Sequence, residues 1–136
     1  MKYLALILCV VVISAFAMAQ DMKHSEGKEH SFAVKELDKF HDMLRPLFHE
    51  SLEKGDFDAI RMGIDSLYQR AVAIEKSKLP KKFSGKKSQF QKSAKQLVAQ
   101  LSFMKKNKST MDNEKLKSKF EEMHNKFESL AELLNN

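Results

Sequence analysis

Of the five histidines and 18 carboxylate side chains in this sequence, five are placed to be candidate metal ligands: His41, His49, Glu50, Glu121 and His124. Imidazole and carboxylate together are donors that suit Zn²⁺ and Cu²⁺. The first three sit in "KFHDMLRPLFHE", residues 39–50, and the other two in "FEEMH", residues 120–124. Whether they make one site depends on the elements that carry them.

Around the first stretch, Leu37, Phe40, Leu44, Leu47, Phe48 and Leu52 recur at spacings of three and four, which predicts a helix over 34–54. Each helical residue advances the direction by about 100°, so His41 lies about 60° from Leu44, on the flank of the apolar stripe. His49 lies about 140° from Leu44 and about 12 Å along the axis from His41, too far for the two to share an ion on a straight helix. Near the end of the chain, Leu116, Phe120, Met123, Phe127, Leu130 and Leu134 predict a helix over 113–134, with His124 about 60° from Phe127. If the two helices are antiparallel neighbours, His41 and His124 differ in height by roughly 3 Å. The expected site is a cross-helix pair, His41 with His124, completed by Glu121, His49 or Glu50. Pro46 lies between the first two histidines. It removes a helical donor at a cost of about 3 kcal/mol mid-helix and should kink the helix there, shifting His49 and Glu50 inward or outward.

Two further helices complete the set. Ile60, Ile64, Leu67, Ala71 and Ile74 predict one over 57–78; Phe90, Ala94, Leu97, Leu101 and Met104 predict another over 87–106. "KGD" at 54–56 reads as a stop and a start, with Gly55 ending one helix and Asp56 capping the next. Leu79-Pro80 ends the second helix, because the residue before proline avoids the helical region. "KKFSGKKS" and "NKSTMDN" read as loops. No alternating β-branched run appears. The expected fold is all-α, an antiparallel up-down-up-down four-helix bundle. Met43, Met62, Met104, Met111 and Met123 read as packing residues rather than copper ligands, and Tyr68 as a half-buried tyrosine.

Composition bounds the rest. Lys2, the apolar stretch "YLALILCVVVISAF" and Ala17-Met18-Ala19 read as a signal peptide over 1–19, cut before Gln20. Residues 20–33 read as a disordered polar arm carrying His24 and His30, and 34–136 as the folded domain. The signal segment predicts a periplasmic or secreted protein. Cys9 lies within that segment, so the exported chain has no cysteine and must be stabilised by packing alone, which fits a bacterial periplasm better than a small animal secreted protein. From Lys76 to Lys95 there are eight lysines and no acid. That run reads either as a solvated segment or as a surface for an anionic partner. Lysine rather than arginine, and sparse aromatics, argue against nucleic acid. Stable membrane insertion is not expected, and a homodimer is allowed. No nucleophile–base pair, glycine-rich phosphate loop or paired carboxylates appears, which argues against an enzyme.

The pattern "FH…P…HE", then "GDF", then "LP", then "MHNKF" resembles cytochrome c′-like and cytochrome b562-like exported four-helix bundles, over roughly residues 36–134, and within them the branch without haem. The resemblance implies a haem attachment motif C-x-x-C-H on the last helix. Here Phe120-Glu121-Glu122-Met123-His124 keeps the histidine and lacks both cysteines, so covalent haem is excluded. Non-covalent haem would need an axial pair across the bundle; Met43 points about 100° off the apolar stripe, and His41 with His124 serves better. The expected function is an exported metal-binding bundle for zinc or copper, with the metal ion as partner. A ligand-free structural or interaction bundle and a b-type haem binder are the alternatives.

Overall fold

Short capping signals set the helix starts. The Asp56 carboxylate accepts the Ala59 N–H at 3.1 Å, and the Asp112 carboxylate accepts the Lys115 N–H at 2.7 Å. Each satisfies one of the four backbone donors that a helix start leaves open. Gly55 stands at φ 70°, the left-handed region that glycine enters without cost from a Cβ, so "KGD" turns the chain as its residue types require.

The computed structural model describes residues 31–135. The element order is α1 (Lys35–Pro46), a π-helical turn (Leu47–Ser51), α2 (Phe57–Lys76), a 3-10 helix (Lys81–Lys86), α3 (Lys87–Asn107) and α4 (Asn113–Glu132). The described residues are all helical or irregular, with no strand among them. None of the described helices is long and apolar enough to cross a membrane. The expected signal peptide and most of the polar arm lie outside the described residues. The last part of that arm differs from expectation. Phe32 is half-buried, its N–H donates to Asp38 Oδ1 at 2.7 Å, and its ring packs on His41 and Phe127.

One apolar cluster draws on every helix. Leu37, Phe40 and Leu44 enter it from α1; Ile60, Ile64, Leu67, Ala71 and Ile74 from α2; Phe90, Ala94, Leu97, Leu101 and Met104 from α3. Leu116, Phe120, Met123, Phe127, Leu130 and Leu134 enter from α4 and its end. These are the stripes that the three-and-four spacing marks out, since that spacing keeps residues on one side of a helix. Val34, Phe83, Met111 and Ala131 are buried without belonging to a predicted stripe. Phe83 belongs to "KKFSGKKS", expected as a loop; it is a 3-10 helix, and Phe83 anchors it by turning into the core. Met104, Met111 and Met123 are packed in the core as expected, whereas Met62 is 81% exposed.

Pro46 acts differently from a simple kink. The helical ladder, short of a donor at the proline, continues into a wider turn in which Leu52 N–H donates to Leu47 O at 3.0 Å. Leu47, Phe48 and Leu52 were expected on the same buried stripe as Leu44. They are only half-buried, because the changed winding breaks the period that had aligned them. Gly63 of α2 faces Leu47, and a Cβ there would collide with the Leu47 side chain. α2 lies against α1, the π turn and α3, and α3 lies against α4.

Polar ties pin the ends of elements to one another. Arg61 of α2 donates from Nε to Lys108 O at 3.0 Å, and from Nη2 to Met111 O at 3.0 Å and Asn113 Oδ1 at 2.9 Å, holding the α3–α4 connection. One turn on, Asp65 pairs with Lys108 at 2.5 Å and Lys105 at 3.8 Å. The Lys108 hydrogen bond holds the Asp65 carboxyl below its usual range. Lys86 donates to Leu133 O at 2.7 Å, joining the start of α3 to the end of α4. Arg61→Ala removes the three-way clamp and should lower unfolding stability by about 2 kcal/mol, read from urea denaturation followed by circular dichroism. An unchanged midpoint would show that the loop holds its shape without the guanidinium.

Candidate functional site

α1 and the π turn meet α4 through rings. Phe40 of α1 stacks on Phe127 of α4 with centroids 4.8 Å apart, and His41 lies nearly parallel to the same Phe127 ring at 6.0 Å. Phe32 closes this group edge-on, 5.7 Å from His41 and 5.9 Å from Phe127. About two turns along, Phe48 of the π turn stacks on His124 at 3.7 Å with the planes 10° apart. Phe48 also meets Phe120 at 6.2 Å and the edge of His49 at 5.5 Å. The three histidines among the described residues therefore all border one aromatic strip.

The expected ligands separate as follows. His41 is half-buried, as its place on the flank of the stripe predicts. His124 is also half-buried: its side chain is 16% exposed, and its Nε2 stands 3.6 Å from Glu128 Oε1 one turn on. His49 is exposed and reaches the strip only through its edge contact with Phe48. Glu50, on the π turn, is exposed. Glu121 is half-buried and pairs with Lys117 at 4.0 Å along α4. Among the described residues, no group of three or more His, Cys, Asp or Glu side chains is placed to hold a metal ion. The five expected ligands thus do not converge as a set. Helix faces alone do not specify side-chain rotamers, and here the imidazoles lie against phenyl rings. Tyr68 is half-buried with the Lys105 ammonium 5.0 Å over its ring, and plays no part in the strip.

Electrostatics centre on His124. Burial is the main cause that pushes its pKa below the ordinary value near 6.5. Glu128 opposes that shift, His49 reinforces it, a hydrogen bond with Asn125 opposes it, and His41 reinforces it. His41 and His49 thus both act on His124, although the chain separates them by most of its folded length. A neutral imidazole keeps a lone pair, which is the form that ligates a metal. Sequence reasoning missed Phe32 and Phe48 as the partners of His41 and His124. It also missed Glu128, whose i,i+4 spacing from His124 was available as a signal.

No protein-family model matches the chain, and comparison with curated proteins and with solved structures yields no match.

The lowered pKa has a definite sign. The folded state disfavours protonation of His124, so its stabilising effect is complete above the unfolded value near 6.5. It is lost as the pH falls through the lowered folded value. Thermal unfolding at pH 7.5 and pH 5 should therefore differ, with the lower midpoint at pH 5, and His124→Phe should shrink the difference. An equal difference in the variant would place the acid sensitivity elsewhere.

Proposed function

We propose that this chain is an exported, non-enzymatic four-helix bundle of antiparallel up-down-up-down form that binds a divalent transition metal, Zn²⁺ or Cu²⁺, through imidazoles between α1 and α4. The observation that carries this reading is the placement of His41, His49 and His124 along one aromatic strip between α1, the π turn and α4, with burial holding His124 towards its neutral form. The ties of α2 to the α3–α4 connection, and of the α3 start to the α4 end, support the antiparallel arrangement. The donor set is small. His124 is the first ligand, His41 or His49 the second, and water or a neighbouring carboxylate such as Glu128, Glu121 or Glu50 completes the shell.

Haem fits less well. Phe40, Phe120 and Phe127 are buried in the seam between α1 and α4, where a porphyrin between axial histidines would have to lie. A ligand-free interaction bundle is the second reading. The close, parallel Phe48–His124 stack favours it, since there the imidazole serves as a packing group.

Titration with Zn²⁺ and with Cu²⁺, followed by calorimetry and by the imidazole proton resonances, separates the two. The metal reading expects one ion per chain, shifted His124 signals, and an affinity at least about tenfold weaker in the H41A/H124A double variant. Unshifted imidazoles, or equal affinity in the double variant, would leave the ligand-free reading standing.

A further inference from the structure

The basic charge of this protein is gathered in one stretch. Residues 76–95 hold eight of the 24 Lys+Arg and none of the 18 Asp+Glu, so the rest of the chain is net −2. In the fold this stretch is the end of α2, the 3-10 helix and the first turns of α3. Lys76, Lys78, Lys81, Lys82, Lys87, Lys92 and Lys95 are exposed, and none of them forms an ion pair with a described residue. Elsewhere the lysines are often paired: Lys39 with Glu36, Lys105 and Lys108 with Asp65, Lys117 with Glu121, and Lys119 with Glu122. The contrast separates a surface where cations are neutralised locally from one where they are not.

We propose that this lysine surface docks the protein onto an anionic lipid bilayer. Three features select that partner. The ammonium groups are spread over three consecutive segments; on α3 alone, Lys87 and Lys95 are about 12 Å apart along the axis, which is too wide for one small anion and matches an extended anionic surface. The segment has no arginine for bidentate base or phosphate recognition. Its two phenylalanines, Phe83 and Phe90, are buried, so no ring is offered to a nucleobase. Lys82 lies over Phe83 at 4.8 Å, which fixes the 3-10 helix beneath the charges. None of the described helices is long and apolar enough to cross a membrane, and attachment through this surface is electrostatic. Such a surface gains about fivefold in partitioning for each lysine that reaches an anionic headgroup layer, and loses that gain within a Debye length.

Sedimentation with vesicles tests this, using phosphatidylglycerol mixed with phosphatidylcholine, phosphatidylcholine alone, and the full chain against its K78Q/K81Q/K87Q/K92Q variant. The apolar residues 3–16 are common to both chains, so the difference between them reports the lysines. The expected result is binding to the mixed vesicles at least about tenfold weaker in the variant, and abolition of that difference at 0.5 M salt on the order of a 4 Å screening length. Circular dichroism checks that the variant keeps its helices. Equal binding of both chains would overturn the proposal. So would lysine-dependent retention on single-stranded DNA without any on the vesicles, which would assign the surface to a soluble polyanion.

Discussion

Ring packing between α1, the π turn and α4 is the interaction that fixes where the three described imidazoles lie. Helices joined by small side chains approach along their backbones; here Phe40, Phe48, Phe120 and Phe127 fill the space instead, with His41 and His124 laid parallel to two of the rings. Aromatic pairs in offset or edge contact add to the burial of their area, so the strip both closes the bundle and orients the imidazoles. The stack on Phe48 uses the face of the His124 ring, while its Nε2 stands 3.6 Å from Glu128 Oε1. Burial in this contact holds His124 towards its neutral form.

The π turn explains how that strip forms. Pro46 interrupts the ladder of α1, and the wider winding that follows presents Phe48 to α4 while leaving His49 and Glu50 towards solvent. π turns are uncommon and recur where a helix must re-aim a few side chains. Gly63 on α2 answers the change by leaving room for Leu47. A local chemical fact, the missing proline N–H, is thereby converted into the placement of an aromatic ring on another helix.

Charge is divided on a different axis. The aromatic strip lies between α1 and α4, whereas the uncompensated lysines lie on the connection from α2 to α3. The polar ties at the other loops, Arg61 on the α3–α4 connection and Asp65 with Lys108, give their cations partners within the fold. The lysine stretch has no such acids, so its helices rely on burial of Phe83 and Phe90 and on the Lys86–Leu133 contact for their place. The aromatic strip and the lysine stretch therefore occupy different parts of the fold.

The amino-acid pattern alone determined the number of helices, most of their limits and nearly all of the core. Spacing, caps and breakers are local signals: Ile60 through Ile74, Phe90 through Met104, Asp56, Gly55 and Leu79-Pro80 each act within a few residues. It marked His41 and His124 as flanking residues for the same reason. The tertiary structure decided what those flanks touch. Whether His124 meets a metal ligand or a phenyl ring depends on the π winding after Pro46 and on rotamers chosen across helices, and neither is contained in a helical wheel. The 3-10 helix was equally hidden, because its one anchor, Phe83, gains its burial only from side chains distant along the chain.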